Sequence, residues 1–376
     1  MHLEFTAEQD ELRDGVRTVL AGECPMSLVR EVVEKGVTPE ALWNRMVELG
    51  WPGLTVPESA GGLGMGPVEL AVVVEELGRS VAPGPFVPTV TQFAPVVAEA
   101  GSPEQRNHFL GAIAAGELRG TMALAEAAGS IDPASVTAIA EPEGSSYVLH
   151  GTKAAVVEAA TADEIAVVAR RPGTEGDDGV GVFVVPRADI GLEAVEPLDP
   201  TRSLATLTLE GVRVDTARVL GEPGPVTVAA IRRAVELAVT ALAVESVGTA
   251  QAIFDVTLAY AKEREQFGVP IGSFQAIKHK FADMLITLER ARATSYFAAL
   301  TIAEDDDRRA LAASMAKAAA GDCAALLAKE GIQILGGIGY TWEHDMHLYV
   351  RRVKSNALLL GSAAQHRSRV ADLIGL

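Results

Sequence analysis

Apolar residues recur at helical spacing from Thr6 to about Leu118, through LRDGVRTVL and ALWNRMVELG, and predict a helical first third. Thr6 can cap the opening helix with Gln9 three residues on. Two Pro/Gly-rich loops break the pattern, VPESAGGLGMG at Val56 to Gly66 and VAPGPFVPT at Val81 to Thr89. Between about Arg119 and Pro223 the texture changes to short runs, SYVLHG, EIAVVARR, VGVFVVP, LEAVEPL and LATLTLEGVRV, separated by Gly, Asp and Pro. These read as strands of a small antiparallel barrel or sandwich. GEPGPVT, at Gly221 to Thr227, reads as a linker. Helical pattern then returns and persists through AAIRRAVELAVTALAVESVGTAQAIFDVTLAYAKERE and LAASMAKAAAGDCAALLAKEGIQIL, which predicts an antiparallel bundle of long helices. The expected units are residues 1–118, 119–223 and 224–376.

Composition narrows the class. Apolar residues make up 48% of the 376, and no apolar run reaches the ~20 residues that cross a bilayer, so a soluble globular chain without a membrane span is expected. The N-terminus MHLEFTAEQDELRDG has no basic region followed by an apolar one, so no secretion signal is expected. A formal charge of −18 argues against nucleic-acid binding, and an anionic coenzyme would need local cations. Cys24 and Cys323 stand far apart without a CxxC, which fits two inert core thiols and a reducing cytoplasm. His344 and His347 have HxxH spacing but no third ligand cluster, so no metal site is expected.

Candidate chemistry lies in two segments. In REQFGVPIGSFQAIKHK, from Arg264 to Lys280, an Arg, an amide and a ring precede Gly268 and Pro270 where one helix ends. An Arg there can donate a bidentate bond to a phosphate, and the ring can cover a heterocycle. GIQILGGIGY, at Gly331 to Tyr340, is a glycine-dense turn where backbone can approach a ligand without Cβ obstruction, but it lacks the GxGxxG spacing after a strand.

With these segments, LGWPGLTVPESAGGLGMG at Leu49 to Gly66, EELGR at Glu75 to Arg79, GTK at Gly151 to Lys153 and WEHDMHLYVRRVK at Trp342 to Lys354 appear in order. Over nearly its whole length the chain resembles the acyl-CoA dehydrogenase family. The resemblance implies an α+β multidomain fold with a helical N-terminal domain, a central β-barrel and a C-terminal four-helix bundle. It also implies bound FAD and α,β-dehydrogenation of an acyl-CoA thioester, with an electron-transfer flavoprotein or similar acceptor. It further implies that Arg264, Gln266, Phe267, Gln275, Gln333, Gly336 and Gly337, with Ser362, hold the ADP half of FAD, across a boundary with a neighbouring subunit. An oligomer, expected to be a tetramer, follows from this resemblance.

The base departs from the family pattern. A positioned base contributes ~10²–10⁴-fold, about 3–5.5 kcal/mol of barrier. The two positions where family members carry this Glu match Leu360, in LLLGSAAQHR, and Ala238, ten residues before Gly248. Glu245 lies on the same helix face as Ala238, displaced by about 10 Å. Glu236 points elsewhere, and Glu343 and Asp345 follow as weaker candidates. The middle-domain stretch that in the family touches flavin and thioester is AEAAGSID here, at Ala125 to Asp132. Ala155 and Val157 replace an aromatic and a Thr, and Val239 replaces an Arg. Lys153, Lys354, Arg351 and Arg352 read as surface or interface charges. Three readings stay open: a base-lacking subunit paired with a homologous catalytic subunit, resembling bacterial heteromeric dehydrogenases of sterol side chains; a homomeric dehydrogenase with Glu245 as base; and a non-enzymatic homologue.

Overall fold

The computed structural model describes residues 4–376. It opens with α1 (Ala7–Glu23), α2 (Met26–Lys35), α3 (Glu40–Glu48) and α4 (Pro67–Arg79). The expected capping box forms at Thr6: its hydroxyl accepts from the Gln9 amide while the Gln9 side chain accepts from the Thr6 N–H. Beyond the second loop, α5 (Phe86–Pro88) runs through a π-helical turn (Thr89–Phe93) into α6 (Ala94–Ala100), and α7 (Pro103–Ala114) follows a second capping box at Ser102.

The middle region is one sheet of β1 (Gly120–Ala123), β2 (Ile139–Glu143), β3 (Ser146–Val157), β4 (Glu164–Arg170), β5 (Val180–Pro186), β6 (Gly191–Val195), β7 (Leu204–Asp215) and β8 (Val219–Leu220). The strand order is β6-β7-β3-β2-β4-β5-β8, with β1 joining β4 in parallel. The expected central β domain between two helical regions is present; its sheet is mixed, and among the described residues β6 and β8 share no ladder. β4 and β5 are apolar on both faces because both are buried. Ile165, Val167, Phe183 and Val185 join Leu149 and Leu207 in one core, while Ala166, Val168, Val182 and Val184 pack with Leu110, Val228 and Ile231 in another. The second core seats the sheet on the helices.

The C-terminal region comprises α8 (Pro225–Glu263), a short hairpin of β9 (Glu265–Gln266) and β10 (Val269–Pro270), α9 (Gln275–Ala303), α10 (Arg309–Leu335), α11 (Met346–Leu358) and α12 (Ala363–Leu373). α8 starts inside the stretch read as a linker, because Pro225 at its first position is pre-set for a helix. α8, α9 and α10 pack on one another, α11 lies against α8 and α10, and α12 covers α10. An ion pair from Lys280 to Glu330 brings the first turns of α9 to the last turns of α10. α8 and the stretch Arg309–Tyr340 are, against expectation, long and apolar enough to cross a membrane. In α8, 89% of the apolar window is buried within the protein, as suits the bundle's central helix.

α4 crosses α8 at backbone contact. A Cβ on Gly248 would stand 1.8 Å from the Glu75 carbonyl oxygen, and one on Gly78 would stand 2.1 Å from that of Glu245. The Thr249 hydroxyl donates to the Gly78 carbonyl at 2.8 Å and fixes the crossing.

Candidate functional site

The ends of α8 and α10 and the start of α9 meet at one edge of the bundle. Arg264 caps α8, its amide donating to the Tyr260 carbonyl and its carbonyl accepting from Ile271 N, so the hairpin folds back over the helix end. Phe267 adopts φ +56 at the hairpin tip and is 93% exposed, with its ring edge-on to Phe274 at 6.2 Å. Gln266, Gln275 and Gln333 are exposed beside it. Among the described residues the side chains of Arg264, Gln266, Gln275 and Gln333 make no hydrogen bond or ion pair. Gly336 has φ +65, and a Cβ on Gly336 or Gly337 would meet nothing within 4 Å. Tyr340, 81% exposed, and Ile338 extend the apolar surface of the same edge. Ser362 is engaged elsewhere: it caps α12 in a box with Gln365.

A second region lies where the sheet, the π-helical turn, α8 and the turn after α11 converge. A largely apolar cavity of about 130 Å³ is lined by Met122, Leu124, Ala155, Leu242 and the turn Leu358–Gly361, with Gln92 and Arg202 as its polar members. A polar cavity of about 410 Å³ adjoins it through Gly129, Ile131 and Gly361, and brings in Asp132, Arg232, His366 and Arg369. Asp132 pairs with Arg232 at 3.1 Å, whereas Arg369 has no ion pair among the described residues. Leu360 and Ala155, at φ +53 and +51, occupy the left-handed region that disfavours side chains with a Cβ. No carboxylate lines the apolar cavity. Ala238, the other matching position, is buried in α8.

Glu245, the candidate base of the second reading above, is not among the residues that line either cavity. It is 0% exposed, and its Oε1 accepts from both Arg202 and Arg352 while Oε2 accepts from Asn356 Nδ2 at 3.1 Å. Burial pushes its carboxyl up, but the two guanidinium groups more than offset this and hold it below the usual carboxylate range. Three donors thus engage the carboxylate, and its lowered basicity makes it a weaker proton acceptor than an ordinary Glu. Arg352 also donates to Asp199 and to the carbonyls of Val81 and Ala82, so the cluster ties the N-terminal helices, the loop before β7, α8 and α11 together.

Two other charges read as surface groups are in fact buried. Arg352 is one; Lys153, also 0% exposed, donates to Glu126 at 2.7 Å and to the Leu124 carbonyl at 3.2 Å. Glu126 is turned inward, accepting as well from the amides of Thr137 and Ala138. Burial raises its carboxyl, Lys153 and Thr137 lower it further, and the net position is below the ordinary range. Glu236 faces away as expected and pairs with Arg309 at 2.6 Å. Asp345 binds Arg30 at 2.6 Å, and Glu343 lies nearby on the surface, away from the cavity linings. His347 stacks on Trp342, and no group of metal-binding side chains occurs among the described residues. Burial pushes the thiols of Cys24 and Cys323 up to about 12, so both are inert.

Family models for the acyl-CoA dehydrogenase N-terminal, middle and C-terminal domains match residues 6–117, 121–216 and 228–375. The chain belongs to the acyl-CoA dehydrogenase family. Acyl-CoA dehydrogenase IpdE2 of Mycobacterium tuberculosis is 33% identical over 94% of this chain and 93% of its own length. A Tcur3481–Tcur3483 steroid acyl-CoA dehydrogenase variant is 34% identical with a TM-score of 0.87, covering 98% of this chain and 97% of its own. The ChsE4–ChsE5 complex from Mycobacterium tuberculosis is 28% identical with a TM-score of 0.89, covering 100% of both chains. The enzyme class is acyl-CoA dehydrogenase, and the cofactor of the family is FAD. The chemistry of the bundle edge suits the ADP half of that group: the Arg264 guanidinium and three glutamine amides make no bond among the described residues, and the backbone at Gly336–Gly337 is open to solvent.

Proposed function

We propose that this chain is a subunit of a hetero-oligomeric acyl-CoA dehydrogenase that lacks its own base and works with a homologous catalytic subunit. The observation that carries this reading is the pairing of an intact, unpartnered phosphate-binding edge with a cavity that no carboxylate lines. FAD supplies the acceptor for the hydrogen that leaves Cβ as hydride; a carboxylate must take the α-proton. Leu360 and Ala238 cannot, and the carboxylates of Glu245 and Glu126 are held by donors inside the protein.

The chain's own residues then bind. Arg264 would donate to the diphosphate of FAD, Gln266, Gln275 and Gln333 would satisfy its remaining acceptors, and the Gly336–Gly337 backbone would allow a close approach. Phe267, almost wholly exposed, covers the adenosine end or packs on the adjoining subunit. The apolar cavity admits an acyl thioester but offers no group to take its α-proton, so the dehydrogenation itself falls to the catalytic subunit. The polar cavity, with Arg369 free to bind an anion, takes coenzyme A phosphate. The electron acceptor is an electron-transfer flavoprotein or similar protein. The heteromeric ChsE4–ChsE5 relative and the steroid dehydrogenase variant support a two-chain assembly acting on a sterol-derived thioester.

Purification of this chain alone, followed by flavin absorbance and an acceptor-dye assay, tests the proposal. Low FAD occupancy and no turnover are expected, both restored by co-expression with the catalytic partner. Full FAD occupancy with robust turnover on an acyl-CoA by this chain alone would refute it.

A further inference from the structure

Lys317, on α10, is 1% exposed, yet no carboxylate pairs with it among the described residues. Its Nζ donates to two main-chain oxygens, those of Asn356 and Gly361, each at 2.8 Å. Asn356 lies in the last turn of α11, where carbonyls have no partner within the helix and the helix dipole presents partial negative charge. Lys317 is thus a C-terminal cap supplied by another helix, and the dipole offsets part of the cost of burying its ammonium. Burial lowers its pKa to about 8.

The second acceptor, Gly361, follows Leu360, and the two residues are consecutive in the left-handed region at φ +53 and φ +94. A Leu held there persists only where its surroundings over-determine it, and such positions cluster at working sites. His366 supplies another restraint: its Nε2 lies 2.8 Å from the Leu360 carbonyl, which can only accept, so this nitrogen carries the proton. The turn from Leu358 to Gly361 lines the apolar cavity, and Gly361 is shared with the polar cavity. The Asn356 side chain joins Arg202 and Glu245, so the same short stretch is also anchored to the buried charge cluster.

We propose that Lys317 is a positioning residue for the binding of a coenzyme A thioester by this chain. By capping α11 and holding the Gly361 carbonyl it fixes the left-handed turn between the two cavities and so sets where the thioester lies. This rests on reading those cavities as the acyl-CoA site.

The test uses the FAD-loaded oligomer and Lys317→Met, which keeps the side-chain length and removes the donors. Amide hydrogen exchange across residues 359–362 should accelerate at least tenfold, while the middle of α8 keeps its protection. Coenzyme A, titrated by calorimetry, should bind about tenfold more weakly with FAD occupancy unchanged. Unaltered exchange in the turn, or unaltered coenzyme A affinity, overturns the proposal. If Lys317→Met does not fold, His366→Leu carries the test: it should loosen the same turn, and His366→Gln, which keeps a donor, should restore it; equal exchange in both variants overturns the proposal. Coenzyme A failing to bind the parent protein would count against the cavity assignment under Proposed function; the exchange measurement needs no ligand and decides the role of Lys317 separately.

Discussion

The bundle edge at Arg264–Gln275 and the cluster around Glu245 draw on the same chemistry, arginine with amides, and use it in opposite ways. At the edge, Arg264 and three glutamines are solvent-exposed, and among the described residues their side chains make no internal bonds. In the cluster, Arg202, Arg352, Glu245, Asp199 and Asn356 are buried and joined to one another. Unsatisfied polar groups are tolerable only where water or a ligand can reach them, whereas buried ones must be paired. The first region therefore leaves its donors to solvent, as the proposed diphosphate site requires, and the second holds three parts of the molecule together. Arginine content alone does not distinguish a ligand site from a structural bolt; what distinguishes them is whether the donors are already in use.

The largest effect that would break this contrast is expected at Arg352. Arg352→Met leaves Glu245 and Asp199 buried with a single guanidinium between them, and should destabilise the fold by about 3–5 kcal/mol in denaturant unfolding. A small loss would mean that the cluster does little structural work. Next comes a pH effect. Burial lowers the His366 pKa to about 4, against ~6.5 unfolded, so the folded state binds fewer protons between those values. Stability should fall as pH drops from about 6.5 to about 4, by up to about 3 kcal/mol, and His366→Gln should flatten that slope in thermal scans.

At the edge the expectations invert. Arg264→Ala should leave unfolding within about 0.5 kcal/mol of the parent and weaken FAD retention by about 1.5–3 kcal/mol, roughly 10–100-fold, in equilibrium dialysis of the oligomer. Loss of fold stability without loss of flavin would reverse the roles of the two regions. The smallest effect is expected at Phe267: Phe267→Ala should leave the fold unchanged and reduce oligomer assembly or flavin retention severalfold at most, read by sedimentation and absorbance.

How legible each region was in the sequence follows from how local it is. The proposed edge could be singled out because Arg264, Gln266 and Phe267 fall within four consecutive residues and the glycine turn is a compact run. Long helices were readable from periodicity, and β3 to β7 from runs of β-formers. β1, with four residues, β2, whose IAEPE carries a proline and two acids, and β8, with two residues, offered no such run. The cluster escaped because its members are distant in the chain: Arg202 bonds Asn356 across 154 positions, and Arg352 bonds Glu245 across 107. A signal existed in the single acid within ALAVESVG and in Arg352, four residues after buried Leu348 and four before buried Asn356. A charge on the apolar face of a core helix demands a buried partner, although spacing cannot say which. Lys153 and Glu126 escaped for the same reason.

The crossing of α4 over α8 at Gly78 and Gly248 also limits how such a protein can move and change. With no clearance for even a methyl group, the N-terminal helices cannot slide along the bundle, so any opening that admits a bulky thioester has to come from the sheet side. The two glycines form a mutual lock, in which a substitution at either site would prise apart the surfaces that carry the rest of the molecule.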